Sequence, residues 1–278
     1  MATIGLVLHG QDPAAATEAE RLGATLTADG HTVVGVEGDV AAESSVTPRS
    51  EADFATDLDL VVSLGGDGTM LRTVGLLGGS EVGILGVNFG DLGYLTVIEP
   101  DESQNAITRA LAGDHECEER MLARGTVGDL CFDAFNDIVV ERAPGDTTVR
   151  IGVSIDGKRF TSYPADGLIL STPTGSTAYA FSARGPIVDP NHDCLQLTPV
   201  SPHMLFDRSL ILSPDSVIEL TVEGHRPAVV SVDGRTMHTM QPGDTLRCSR
   251  SPHVARLITF DDRDHLAVLK SKLGLADR

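Results

Sequence analysis

The stretch VVSLGGDGTMLR, Val61 to Arg72, carries a buried apolar run straight into three glycines wrapped around one aspartate. Leu58 to Leu64 reads as a buried strand and Thr69 to Leu77 as a helix, so Gly65, Gly66 and Gly68 fall at a strand-to-helix turn. Glycine permits positive φ and close approach of a ligand to the backbone. The free N–H groups of such a turn, with the positive end of the following helix, suit phosphate oxygens. Asp67 is electrostatically out of place in a loop that binds only phosphate. It points to a metal ion or to proton acceptance, or else to a helix N-cap followed by a glycine for tight packing.

The neighbouring pattern supplies the fold class. Ile4 to Leu8 and His31 to Val36 read as strands around an alanine-rich helix, Ala14 to Ala28, and Val82 to Val87 reads as a further strand. Ala41 to Asp57, polar and carrying Pro48, reads as an irregular connection or a weak helix, and Glu102 to Ala112 as a helix. Residues 1–112 therefore predict an open α/β sheet, with the glycine turn at the carboxyl end of a strand, where such sheets bind ligands. From Glu116 to Phe260 short alternating runs take over, including Phe132 to Val140, Val149 to Ile155, Lys158 to Tyr163, Val217 to Val222 and Ala228 to Val232. Asp156-Gly157, Asp233-Gly234 and Pro242-Gly243 separate them as turns, so residues 113–262 predict a second, β-rich domain. A last helix, Arg263 to Leu273 (263–273), is a candidate to return to the first domain.

Charge excludes some partners. The chain has a formal net charge of −19, with 40 acidic and 21 basic residues, and its lysines are only Lys158, Lys270 and Lys272. Nucleic acid is disfavoured as a partner. Acidic residues spread along the whole chain, with little lysine, read as a solvated surface suited to a cytoplasm of high salt. The longest apolar runs are strand-sized and nothing resembles a signal peptide, which predicts a soluble, cytoplasmic protein with no membrane partner. Cys117, Cys131, Cys194 and Cys248 lack CxxC spacing and indicate neither a disulfide framework nor a zinc site.

Three further segments carry chemistry. In DGLILSTPTGSTAYAFSARGPIVDP, Asp166 to Pro190, a buried strand empties into Ser171, Thr172, Thr174, Ser176 and Thr177 around Pro173 and Gly175, followed by Tyr179. Such a hydroxyl wall with an aromatic face suits a sugar and a purine; the alternative is a serine- and threonine-rich start to a helix, Ser176 to Ala183, with Tyr179 in the core. In FNDIVVER, Asn136 and Asp137 stand at a strand entry, where adjacent side chains reach one ligand only from an edge or a bulge, or else form an ordinary turn. VNFGDLGYL, Val87 to Leu95, reads as a strand and a Gly-x-x-Gly hinge compatible with a crossover between domains.

On GGDGT at Gly65 to Thr69, NFGDLGYL at Asn88 to Leu95, Asn136-Asp137 and DGLILSTPTGSTAY at Asp166 to Tyr179, the chain resembles the NAD kinases. Weaker similarity runs through Ser201 to Leu210 and through SVDG, Ser231 to Gly234. The resemblance implies a Rossmann-like α/β N-terminal domain, a β-rich, β-sandwich-like C-terminal domain and NAD held in the cleft between them. It implies phosphoryl transfer from ATP or polyphosphate, with Mg²⁺ or another divalent cation, to the adenosine 2′-hydroxyl of NAD, giving NADP. Asp67 is then the proton acceptor, with Gly65, Gly66, Gly68 and Thr69 around the phosphates. Gly68, Arg72, Asn136, Asp137, Asp166, Thr174, Thr177, Ala178, Tyr179, Ala180, Phe181 and Ser182 fall on dinucleotide-binding positions with Asp67, and a homodimer or homotetramer is implied. No metal ligands follow from the match.

The chain departs from the family pattern at three places. Asp137 stands where glutamate is usual, Pro164 where many members carry arginine, and Arg235 where glutamine is frequent. These bear on ligand detail and donor choice. Two other readings of the glycine loop are a diacylglycerol-type lipid kinase, disfavoured by the acidic chain and the lack of a basic amphipathic helix, and a non-catalytic NAD(P)-binding protein, disfavoured by the retained Asp67.

Overall fold

The computed structural model describes the chain apart from residues 11, 42, 43, 91, 92, 97, 146, 261–264, 273 and 276–278. It divides into two compact units, Met1–Glu119 with Ala255–Arg278, and Arg120–Val254.

In the first unit β1 (Thr3–Leu8), α1 (Pro13–Ala28), β2 (Thr32–Val36), β3 (Thr47–Arg49), β4 (Leu60–Gly65), α2 (Asp67–Leu77), β5 (Gly83–Asn88) and α3 (Ser103–Leu111) follow in order. The strands form a parallel sheet in the order β5-β4-β1-β2-β3. Every residue of β4 is buried, as a central parallel strand covered on both faces requires. Ile4, Leu6, Val62, Leu64 and Leu85 pack with Ala15, Ala19 and Leu22 of α1 and with Ile107 of α3. Asp12 caps α1, its Oδ1 accepting the Ala14 N–H at 2.9 Å, and Pro13 opens the helix, where no intrahelical N–H is needed. The segment around Pro48, read as irregular or weakly helical, contains the short strand β3 at the sheet edge, a place where proline is tolerated.

In the second unit the chain runs as β6 (Glu116–Val127), β7 (Leu130–Ala134), β8 (Asp137–Arg142), β9 (Val149–Ile155), β10 (Lys158–Ala165) and β11 (Gly167–Ser171). A 3₁₀ turn (Thr174–Thr177) and the single-turn helix α4 (Tyr179–Ser182) follow, then β12 (Leu195–Val200), β13 (Leu210–Leu212), β14 (Ile218–Glu223), β15 (Ala228–Val232), β16 (Arg235–Met240) and β17 (Thr245–Thr259). β6 and β17 are the strands in which the chain passes from one unit to the other. One antiparallel sheet has the order β13-β12-β11-β8-β15-β16; β10, β9, β14 and the start of β17 pair antiparallel in another. Alternate residues of the two sheets, such as Ile138, Val140, Leu168 and Leu170 with Ile151, Val153, Ile218 and Leu220, meet in one core. The two Asp-Gly hairpins have positive φ at both residues, 51° and 73° at Asp156-Gly157 and 47° and 78° at Asp233-Gly234, the primed-turn geometry that a tight hairpin needs.

Two predicted elements differ. The run Phe132 to Val140 is broken at Phe135-Asn136 into β7 and β8, and the helix predicted from Ser176 is broken at Ala178 (φ −98°, ψ −126°). Of the final helix, α5 (His265–Lys272) is described and belongs to the first unit; Arg263, Asp264 and Leu273 lie outside the described residues.

Candidate active site

The first unit's strand order reverses beside β1: the chain moves outward to β2 and β3, then returns to the other side for β4 and β5. The carboxyl ends of β1 and β4 are left with a crevice, the usual ligand position of an open α/β sheet. There a cavity of about 540 Å³ is lined by His9, Asp12, Pro13, Gly66, Gly68, Thr69 and Phe89. The glycines divide their work. A Cβ on Gly65 would collide with the Thr69 side chain, whereas Gly66 and Gly68 have open space before them. Thr69 is buried against Gly65, and its Oγ1 has no hydrogen-bond partner among the described residues.

Asp67 is not a helix cap. Gly66 occupies the N-cap position of α2, and the Asp67 carboxylate turns to another segment: Oδ2 accepts the Tyr94 N–H and Oδ1 the Leu95 N–H, each at 2.9 Å. NFGDLGYL, read as a hinge between domains, thus lies within the first unit and walls the carboxylate; its Asp91 and Leu92 lie outside the described residues. A Cβ on Gly93 would stand 2.5 Å from Asp67 Oδ1, so a glycine is what lets the segment close on the acid. Lys272 Nζ of α5 lies 3.6 Å from Asp67 Oδ2 and 4.4 Å from the Tyr94 ring centroid. Burial, then the Asp67 charge, raises the Tyr94 phenol above its ordinary value.

Arg72 is engaged elsewhere. Its guanidinium donates to Asp39 Oδ2 at 2.6 Å, to Glu51 Oε1 at 3.4 Å and to the Leu8 carbonyl at 3.3 Å, so its charge is already shared between two carboxylates.

In the second unit, Asp137, Val139 and Glu141 of β8 point away from the core, beside Gly167, Ile169 and Ser171 of β11. The segment from Thr172 onward folds over this outer face. Ala180 is fully buried there against Val139 and Ile169, so its side chain serves packing. The loop is locked to the start of β8: Thr172 Oγ1 donates to the Phe135 carbonyl at 2.6 Å, the Thr172 N–H donates to the Asn136 carbonyl at 2.9 Å, and Gly175 packs so closely on Asn136 that no Cβ would fit. The predicted hydroxyl wall is accordingly thinner than its composition. Ser171, Thr172 and Ser176 are buried with internal partners, because strand ends need their backbone groups satisfied; Thr174 and Thr177 stay half-buried. Ala178 is half-buried, while Tyr179, Phe181 and Ser182 are exposed.

Asp137 is buried, and Asp233 beside it organises the strand entry. The Asp233 carboxylate accepts the N–H groups of Phe135 at 2.8 Å, Asn136 at 2.7 Å and Asp137 at 3.1 Å. Burial, and then the negative charge of Asp233, pushes Asp137 up to about 7, against the Tyr179 N–H that donates to it. Burial also raises Asp233, opposed by its three backbone donors. Nearby, Asp166 accepts from Arg142 Nε at 3.1 Å, and Asp166, Arg142, Glu141, Gly167 and Tyr179 line a cavity of about 360 Å³. Sequence reasoning missed Asp233, since Asp-Gly is so ordinary a hairpin turn that nothing marks its carboxylate. Among the described residues no three His, Cys, Asp or Glu side chains gather as a metal site.

A crevice at the strand-order reversal of a parallel sheet, with a fixed carboxylate on its glycine turn, followed by a β-sandwich carrying the close-set acids Asp137 and Asp233, defines a two-domain protein with the ligand crevice of an open α/β sheet. Residues 4–115 match the model of the ATP-NAD kinase N-terminal domain and residues 135–260 that of the ATP-NAD kinase C-terminal domain. The NAD kinase of Citrifermentans bemidjiense is 36% identical over 100% of both chains. That of Heliobacterium modesticaldum is 38% identical over 98% of this chain and 99% of its own. The crystal structure of an NAD kinase from Archaeoglobus fulgidus in complex with ATP is 25% identical, with a TM-score of 0.78 over 99% of this chain and 100% of its own. Yeast NADH kinase complexed with NADH shares the fold, with a TM-score of 0.91 at 24% identity over 100% of this chain and 89% of its own. The chain belongs to the NAD kinase family, phosphotransferases that act on an alcohol group.

Proposed function

We propose that this chain transfers the terminal phosphoryl group of ATP to the adenosine 2′-hydroxyl of NAD, with Asp67 as proton acceptor. The observation that carries the reading is the Asp67 carboxylate, pinned by the Tyr94 and Leu95 amides beside the glycine turn instead of capping its own helix. A sugar hydroxyl is a poor nucleophile at neutral pH, and phosphoryl transfer asks the protein chiefly for placement and charge neutralisation. A base held this rigidly loses no orientation when the hydroxyl arrives. Gly66 and Gly68, with open space before their backbones, receive donor phosphates. Asn136, Asp137, Asp166, Thr174, Thr177 and Tyr179 hold the dinucleotide; Asp166 and Tyr179 share a cavity, which supports that part.

ATP rather than polyphosphate is favoured by the Archaeoglobus relative that was solved with ATP. Mg²⁺ arrives with the donor, since one or two carboxylates with phosphate oxygens and water suffice to hold it and no protein cage is required. A homodimer or homotetramer, a cytoplasmic setting and a high-salt habitat complete the reading.

NADP formation, coupled to a NADP-specific dehydrogenase and run with ATP or polyphosphate, tests activity and donor together. Asp67→Asn keeps the shape of the side chain but takes no proton, so turnover falls roughly 10² to 10⁴-fold while NAD still binds. A folded mutant with native turnover would end the general-base assignment.

A further inference from the structure

Among the described residues, Lys272 is the one side-chain cation set against the proposed base, and the carboxylate does not need it. Each Asp67 oxygen already accepts a backbone N–H at 2.9 Å, and the ammonium stands off at 3.6 Å, beyond the roughly 2.7–3.2 Å of a direct hydrogen bond. The Tyr94 ring, 4.4 Å from Nζ, steers the ammonium without consuming any of its three donors. Lys272 itself is exposed, so its flexible stem can swing while the helix stays in place. An ammonium on a flexible stem is a compact charge that turns between two anions.

We infer that Lys272 is a further catalytic residue, whose ammonium leaves Asp67 to neutralise the phosphoryl group in transit. The inference rests on Asp67 being the base. The proton of the 2′-hydroxyl goes to Asp67, the 2′-oxygen forms the new O–P bond, and the bond from the terminal phosphorus to the donor's bridging oxygen breaks with its electron pair leaving on ADP. The phosphorus is one oxygen removed from the base, a separation that the flexible Lys272 stem, with Nζ 3.6 Å from the base, can span. Lys272 neither gains nor loses a proton. It supplies charge where negative charge spreads over the equatorial oxygens, the kind of donor whose removal costs turnover more than binding.

The test compares Lys272→Met, which keeps length without charge, and Lys272→Arg with the parent full chain and with Asp67→Asn, using ATP and NAD. For Lys272→Met, kcat is expected to fall on the order of 10²-fold, with KM for NAD and the melting temperature nearly unchanged. Lys272→Arg is expected to recover most of that loss, because charge and not shape is at issue. A kcat for Lys272→Met within about twofold of the parent would overturn the inference, as would an equal loss in Met and Arg variants, which would mark a mere helix-docking contact. Asp67→Asn separates the two readings: full activity there removes the base, whereas a lost kcat there with intact Lys272→Met removes only the lysine.

Discussion

Gly93 approaches Asp67 so closely that a Cβ on it would stand 2.5 Å from Oδ1, and equally 2.5 Å from the Thr96 hydroxyl. Neither neighbour is the loose end of a long side chain. Gly93→Ala therefore shifts the carboxylate off its two amides, and misplacing a catalytic group by about 1 Å costs on the order of 10²-fold in kcat. The expected result is that loss of kcat with NAD affinity retained and a stability cost of about 1–3 kcal/mol. Steady-state kinetics with a chemical melt check it; native kcat would mean that the carboxylate's position is unimportant.

Asp233→Ala should damage binding without touching the base. It leaves the N–H groups of Phe135, Asn136 and Asp137 without their acceptor, each buried unpaired donor costing about 1–3 kcal/mol. The entry of β8 then loosens and NAD affinity falls. Denaturant titration and NAD titration read the two effects separately, and unchanged values in both would show that the carboxylate holds nothing.

Stability should depend on pH through Asp137. Its folded value is raised from 3.8 to about 7, so between those limits the folded chain keeps a proton that the unfolded chain has lost. The group's contribution is most favourable below pH 3.8, declines as pH rises and is fully lost above about 7. Asp137→Asn removes the decline, which amounts to roughly 1.4 kcal/mol for each pH unit between the two limits. The mutant's melting temperature should exceed the parent's more at pH 8 than at pH 5, while its NAD affinity falls. A constant difference across that range would contradict the assignment.

Salt should stabilise the whole chain. A formal charge of −19 repels itself weakly when the screening length is about 3 Å, as in molar salt, and strongly in dilute buffer. Circular dichroism melts in dilute buffer and in molar KCl are expected to differ by many degrees. Equal melting temperatures would reject the reading of the surface as one adapted to high salt.

The sequence by itself determined the elements and the chemistry on offer. Periodicity of 3.6 and of 2 is local, so β4, α1, β9 and β15 are legible within a residue or two, and the Asp-Gly hairpins within their own two residues. GGDGT and TPTGSTAY carry the family for the same reason, each being one continuous segment of chain. What only tertiary structure decided is which of those groups are free. Asp67 meets amides 27 and 28 residues away, Asp233 meets N–H groups nearly a hundred residues earlier, and Lys272 reaches Asp67 from the far end of the chain. Ser171, Thr172 and Ser176 look like ligand hydroxyls in the sequence but are consumed inside the fold, and Arg72 is consumed by Asp39. A hydrogen-bonding group has one set of partners at a time, and chain closure over long separations, invisible to any local pattern, is what assigns them.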